Sequence, residues 1–154
     1  MSPVIRVKVG PEPFDPAAET AILERSTANV GAVCTFTGLV RVTGDQAGVR
    51  GLKVEHYPGM TERAIEALCQ KAAQRWGITA ISVIHRVGAL AVGERIVFVG
   101  TGSEHRSDAF SACEYLMDHL KTEAPFWKKE WTAHDSRWVV QKQQDIARAR
   151  RWDA

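Results

Sequence analysis

The chain has 154 residues, three cysteines, and 20 lysines and arginines against 18 aspartates and glutamates, a net charge of +2. A chain of this length forms one domain, 1–154, that buries about 68–70% of its unfolded surface without disulfide help. Near-balanced charge excludes a surface that tracks a phosphate backbone throughout, so any cationic site must be local.

Cys34, Cys69 and Cys113 are odd in number and never spaced Cys-x-x-Cys, which argues against a zinc site or a disulfide scaffold and for a reducing cytoplasm. No apolar run approaches the roughly 20 residues of a membrane helix, and residues 1–10 lack the pattern of a signal peptide. The expectation is a soluble cytoplasmic protein.

Residues 4–9 alternate apolar and polar as a half-buried strand does, stopped by Gly10-Pro11, and 16–25 read as a short helix. Residues 32–40 predict a strand, 44–51 a flexible connection, and 52–56 a second strand. Over 61–76, Ile65, Leu68, Cys69, Ala72 and Trp76 form one helical stripe, with Gly77 beyond it as a cap. Strands at 80–87 and 95–101 flank a connection at 88–93; His85 and Arg86 fall on the first, where alternation puts one of two neighbours in solvent. The second long helix, 107–121, has a stripe of Phe110, Cys113, Leu116, Met117 and Leu120, with Ser111, Glu114 and Asp118 pointing away and Ser107 placed to cap it. Pro125 prevents continuation, and 126–132 with 137–140 predict a last pair of strands around a turn. The basic segment 137–151, which overlaps the C-terminal tail at about 141–154, reads as a solvated helix face or frayed end. The total is α+β: about three helices packed on about seven mixed or antiparallel strands.

Two lysines, Lys121 and Lys128, bracket the turn Thr122-Glu123-Ala124-Pro125-Phe126-Trp127, and a second basic pair, His105-Arg106, precedes the same helix. Together they suggest a cationic pocket. The 103–107 junction offers free backbone N–H groups, the positive end of a helix dipole and the Arg106 fork to an anion. Lys121 falls in the last turn of its helix, where a cation is favourable anyway. Lys128 and Lys129 are neighbours on a strand, so only one can share a pocket with Lys121, and spacing leaves the choice open. A lysine base needs its pKa lowered from near 10.4 toward about 7–8, and clustered cations among apolar walls supply that shift. Gly38, before Leu39-Val40-Arg41, either admits a ligand close to the backbone or marks a bulge. His56-Tyr57-Pro58-Gly59-Met60 reads as a structural corner. No Gly-rich phosphate loop, His-Glu-x-x-His run or nucleophile elbow is present, so no cofactor or metal is indicated.

Val33-Cys34-Thr35-Phe36-Thr37-Gly38, Glu55-His56-Tyr57-Pro58-Gly59-Met60-Thr61, Ile84-His85-Arg86-Val87-Gly88, His105-Arg106, Leu120-Lys121-Thr122 and Pro125-Phe126-Trp127-Lys128 follow, in order and spacing, a family pattern spanning essentially the whole chain. The sequence resembles the catalytic, large subunits of molybdopterin synthase. The resemblance implies an α+β fold with an α/β-hammerhead portion and a sulfur-transfer enzyme of molybdenum cofactor biosynthesis. Sulfur would arrive as the C-terminal thiocarboxylate of a small ubiquitin-like subunit and pass to cyclic pyranopterin monophosphate, forming the dithiolene of molybdopterin. It further implies a heterotetramer, a central homodimer of large subunits with one small subunit at each end.

By resemblance, Lys121 and Lys128 match the two active-site lysines, which favours Lys128 over Lys129 as the pocket lysine. Arg41, His105 and Arg106 match substrate-binding positions, and Leu39, Val40, Lys129 and Glu130 lie in substrate-contacting stretches. With sulfur carried in by a partner, no cysteine has to be a nucleophile. Leu39 replaces a lysine found in some relatives. Lys142 stands where a relative places an arginine that reaches the neighbouring subunit's site, keeping the charge without the bidentate fork. Residues 42–50 match the family poorly. Two other classes compete: a single-strand nucleic-acid module using Phe126, Trp127, Trp131 and the basic tail, against which the low net charge stands, and a non-catalytic docking protein for a ubiquitin-like partner.

Overall fold

The computed structural model describes residues 2–153. In chain order the elements are β1 (Val4–Gly10), α1 (Pro16–Glu24), β2 (Ala32–Leu39), β3 (Gly51–His56), α2 (Met60–Arg75), β4 (Ile78–Arg86), β5 (Gly88–Ala91), β6 (Arg95–Ser103), α3 (Arg106–Leu120), β7 (Phe126–Trp131), β8 (Ser136–Trp138) and α4 (Gln143–Arg150), followed by a 3-10 turn, Arg151–Asp153. The strands form two four-stranded sheets, ordered β1-β4-β6-β2 and β5-β3-β7-β8. β1 runs parallel to β4, and every other pairing is antiparallel.

β4 and β6, at the centre of the first sheet, are apolar on both faces because both faces are covered. Ile81, Val83, Val97 and Val99 enter the main core with Ile65, Leu68, Cys69 and Ala72 of α2 and Ala112, Cys113 and Leu116 of α3. Residues of opposite parity, Ala80, Ile84 and Phe98, pack on Leu23 of α1 in a smaller cluster. Val54 and Leu90 of the second sheet join the main core, and the two sheets meet where the rings of His85 and Phe126 stack, centroids 3.8 Å apart.

Local chemistry accounts for the helix starts. Asp15 caps α1 by accepting from Ala17 N at 3.0 Å, with Pro16 in the first helical position. Gly59 takes φ +85° before α2, and Glu62 reaches back to accept from its N–H at 3.0 Å. The Thr61 hydroxyl, fully buried, accepts from Tyr57 N at 2.9 Å and donates to Pro125 O at 3.0 Å, tying α2 to the turn that precedes β7.

The α+β expectation holds, with four helices and eight strands among the described residues rather than three and seven. β5 lies within the expected connection 88–93; it is four residues long and bounded by glycines at positive φ, too short to show a period. α3 begins at Arg106 with His105 at its cap position and no side-chain cap, so Ser107 does not cap it. Its stripe also needs correction: Phe110 is 63% exposed, whereas Asp118 is only 6% exposed. The cause is the C-terminal segment, which crosses α3 on the Asp118 side. The Asp118 carboxylate accepts from Arg148 Nε at 3.1 Å, Arg151 Nη2 at 3.0 Å and Trp152 Nε1 at 2.8 Å. Trp152 meets Trp76 and Tyr115 edge-on, under the Arg75 guanidinium. The segment is therefore a latched helix, not a frayed end. His85 and Arg86 are both buried, correcting the expectation that one faces solvent; Arg86 satisfies its guanidinium with Pro11 O, Arg95 O and Glu94.

Gly51 is buried where a Cβ would run into the Trp131 ring and the Leu90 carbonyl. Gly51→Ala is expected to destabilise by about 1–3 kcal/mol through overpacking. Thermal unfolding should show this as a fall in Tm of roughly 2–4 °C per kcal/mol for a domain of this size.

Candidate active site

α3 ends at Lys121, the chain turns through residues 122–125, and β7 starts at Phe126. Glu123 N and Thr122 N both donate to His119 O, closing the last turn, while Thr61 holds the Pro125 carbonyl. Pleating then separates the two candidate lysines. Phe126, Lys128 and Glu130 share one face of β7: Phe126 stacks on His85, and Glu130 is buried. Lys129 faces the other way, its ammonium 5.2 Å from the centre of the Trp138 ring. Lys128 is thus the inward lysine, and Lys129 and the exposed Trp127 lie outside the pocket.

Burial lowers the Lys128 pKa from 10.5 to about 8, helped by the Lys121 ammonium and, more weakly, by Lys142, while Asp145 acts in the opposite sense. His85 is pushed down to about 3, chiefly by burial and then by Lys128, against the hydrogen bond between its Nδ1 and Arg86 O at 2.8 Å. It is neutral at physiological pH, so it lies beside the lysines without adding a third charge.

A cavity of about 390 Å³ opens beside Lys121, walled by Cys34, Thr35 and Phe36 of β2, Phe110, Cys113, Glu114, Met117 and Asp118 of α3, and Asp145 and Arg148 of α4. Cys113 is held well above the ordinary thiol range by burial, and Cys69 is raised to about 12 for the same reason, which leaves both poor nucleophiles. Among the described residues no three His, Cys, Asp or Glu side chains converge to hold a metal ion.

The remaining predicted residues divide by position. β2 shifts register at Gly38/Leu39, as the bulge reading of that glycine expects. Beyond the bulge Leu39 and Arg41 are exposed, while Val40 is 3% exposed and joins the core, its backbone bonded to Glu94 O and Gly93 N. Val40 therefore offers no side chain to a ligand. Glu130 is likewise occupied: its two oxygens accept from Asp45 N at 3.0 Å and Gln46 N at 3.1 Å. With the Lys142–Asp45 ion pair at 3.2 Å, these bonds give the 42–50 connection fixed anchors, where only flexibility was expected.

His105 and Arg106 are exposed at the start of α3, and Lys121 lies at its end. Fifteen residues at a rise of about 1.5 Å separate them by about 22 Å, so one copy of the chain does not bring the two basic pairs into one pocket. Arg41 belongs to the lysine end, because β2 and β6 are antiparallel and α3 runs back along β6. Residues that sequence reasoning passed over complete that end. His85 was visible only within a matched segment, and Asp145 and Arg148 carried no signal beyond membership of a basic tail.

The lowered Lys128 pKa makes a stability statement. Between about pH 8 and 10.5 the unfolded chain holds a proton on Lys128 that the folded chain has released, so stability rises with pH in that window and the charged form is destabilising below it. Lys128→Met is expected to stabilise at pH 7 by up to about 3 kcal/mol, with the gain shrinking across that window. Urea unfolding of both proteins at a series of pH values checks the sign and the window.

A family model described as MoaE protein matches residues 9–123. The chain is 47% identical over 147 residues to the molybdopterin synthase catalytic subunit of Pseudomonas aeruginosa, covering 96% of this chain and 98% of that protein. It is 46% identical over 147 residues to that of Escherichia coli, covering 96% and 97%. Among solved structures, the molybdopterin biosynthesis MoaE protein from Burkholderia ambifaria superposes with a TM-score of 0.83 at 43% identity, covering 98% of this chain and 99% of that one. Molybdopterin synthase from Staphylococcus aureus gives 0.77 at 31% identity over 86% and 96% of the two chains. A complex of subunits 1 and 2 of molybdopterin-converting factor from Helicobacter pylori, 21% identical, shares the fold with a TM-score of 0.71 over 90% and 91%. With sequence, fold and near-complete coverage in agreement, the chain belongs to the MoaE family of molybdopterin synthase catalytic subunits.

Proposed function

We propose that this chain transfers sulfur from the C-terminal thiocarboxylate of a small ubiquitin-like subunit to cyclic pyranopterin monophosphate, building the dithiolene of molybdopterin. The observation that carries the reading is the lysine pair: an inward Lys128 whose pKa is lowered to about 8, partly by the charge of Lys121, which stands at a helix end and lines an open cavity. Lys121 neutralises the incoming thiocarboxylate and stabilises the oxyanion that forms when its acyl carbon is attacked. The sulfur bonds to a substrate carbon and displaces an oxygen substituent from it. Water then adds to the acyl carbon and breaks the acyl C–S bond, releasing the partner as a carboxylate and leaving the sulfur on the substrate as a thiolate; a second thiocarboxylate repeats the sequence for the second sulfur. Lys128, mostly protonated at neutral pH but with a midpoint brought close above it, moves protons in these steps and anchors the substrate. Arg41 supplies a charge-assisted bond to the substrate phosphate at the lysine end.

His105 and Arg106 lie about 22 Å from their own lysines, measured by the helix rise. In a homodimer core carrying a small subunit at each end, they serve the neighbouring copy's pocket. The relatives' names and the two-subunit title of the Helicobacter pylori complex support a small-subunit partner for this chain as well.

Reconstitution with thiocarboxylated small subunit and cyclic pyranopterin monophosphate is expected to yield molybdopterin; binding of both components without product would overturn the assignment. Lys121→Ala should reduce kcat by orders of magnitude, whereas Arg41→Ala should chiefly raise KM. In dimers pairing one Lys121→Ala copy with one Arg106→Ala copy, a site shared between copies leaves one pocket intact and about half the wild-type rate. A site confined to one copy leaves almost none.

A further inference from the structure

On the face of the first sheet turned away from α2 and α3, a second cavity of about 290 Å³ lies between α1 and the edge strand β1. Register explains the gap. Ser82 of β4 stands between Arg6 of β1 and Gly100 of β6, and Leu23 of α1 sits so close over Gly100 that a Cβ there would meet its Cδ1. The helix is therefore seated at the Gly100 end of that row. The rest of the row holds only the short Ser82 side chain and an arginine that turns to Glu19, at 2.6 Å. Ala80, also on the floor, is no larger, while Val4 and Ile22, 49% and 42% exposed, form apolar walls toward the rim. The space equals that of roughly ten water molecules in the liquid. It stands near the lower end, about 300 Å³, of the range for small-molecule sites.

We propose that this cavity binds a compact apolar carboxylate bearing a second hydrogen-bonding group, its charge held between Arg6 and Arg25 and its polar group met by Ser82. Charge is the first support. Arg25, just past the end of α1, makes no side-chain ion pair or hydrogen bond among the described residues, and Arg6 commits only Nη1, to Glu19. A cation beyond a helix C-terminus is favourable on its own, so Arg25 without more would be a solvated cap. The floor supplies the second support. Ser82 is 1% exposed, yet its hydroxyl has no hydrogen-bond partner among the described residues. The other hydroxyl in the wall, that of Ser26, already donates to Leu23 O at 2.9 Å. Buried hydroxyls are paired as a rule, because an unmade bond loses hydration without return, and a ligand atom at Ser82 makes up that loss. The kind of anion follows from the sum of charges at the mouth. Arg6, its partner Glu19 and Arg25 leave one net positive charge, which a single carboxylate neutralises and a doubly charged phosphate overshoots. The cavity lies across the sheet from the lysines, and the proposal stands apart from the sulfur-transfer reading.

The test titrates isotope-labelled full-length protein with 4-hydroxyphenylacetate and follows the backbone amide signals by NMR. Saturable shifts are expected at residues 4–6, 22–26 and 80–82. No saturation up to about 10 mM, or shifts centred on the Lys121 cavity, overturns the proposal. Phenylacetate, which lacks the hydroxyl, is expected to bind roughly tenfold more weakly, and 4-hydroxyphenylacetamide, which lacks the charge, at least as much so. Ser82→Ala should erase the advantage of the hydroxyl, so that the two acids bind alike, and Arg25→Gln should weaken both acids together. Equal binding of the two acids to the unaltered protein sinks the part assigned to Ser82. An affinity that Arg25→Gln leaves unchanged sinks the anion assignment, as does inorganic phosphate binding more tightly than either acid. Amide spectra that match the parent away from the substituted position show that each variant is folded, and the comparison of the three ligands on the unaltered protein needs no variant at all.

Discussion

An ammonium group held away from water beside a second ammonium group is unfavourable twice over, through lost hydration and through repulsion. Lys128 is in that position, and its surroundings limit the penalty without cancelling it. His85 is kept neutral by its own burial, so its stacked ring supplies an apolar wall where another cation would otherwise stand. Lys121 stays at the exposed end of α3, where the helix dipole favours its charge. The outcome is an amine whose midpoint, about 8, lies close above physiological pH, a position that neither a solvated lysine nor a tightly ion-paired one would reach.

The long periodic elements were legible in the sequence because their physics is local. The α2 stripe of Ile65, Leu68, Cys69 and Ala72 lies where its spacing put it, and so do the strand stop at Gly10 and the helix stop before Pro125. Within the site, the strand rule narrowed the inward lysine to Lys128 or Lys129, the family resemblance favoured Lys128, and the packing of Phe126 and Glu130 on the same face agrees. The errors share one cause. Phe110, Asp118, His85 and Arg86 were assigned by periodicity within their own elements, but their burial depends on what crosses those elements from elsewhere in the chain. Asp118 looks solvent-facing until Arg148, Arg151 and Trp152, about thirty residues later, close over it. The grouping of Arg106 with Lys121 does not hold within one copy for a related reason: closeness in sequence along a helix becomes distance in space at about 1.5 Å per residue.

The C-terminal segment forms a helix with no buried residue, the solvated face that composition allowed, but its docking was not legible. Its arginines suggest a solvated tail, yet they converge with an indole N–H on one carboxylate, and Trp152 docks against Trp76 and Tyr115. Individually exposed ion pairs contribute little. Here several donors share a buried acceptor while an aromatic side chain packs alongside, so the latch combines hydrogen bonding with apolar burial. Much of the cavity beside Lys121 is therefore shaped by residues that carry none of the chemistry.

The Thr61 hydroxyl has a further consequence for motion. It uses both its donor and an acceptor site, the first on the Pro125 carbonyl and the second for the Tyr57 amide, with no water-exposed surface left. The chain between the two lysines is thus fastened to the first turn of α2, a helix that presents neither of them. Any adjustment of the gap between the two amines during turnover has either to carry the head of α2 along or to break a bond that no solvent molecule stands ready to replace.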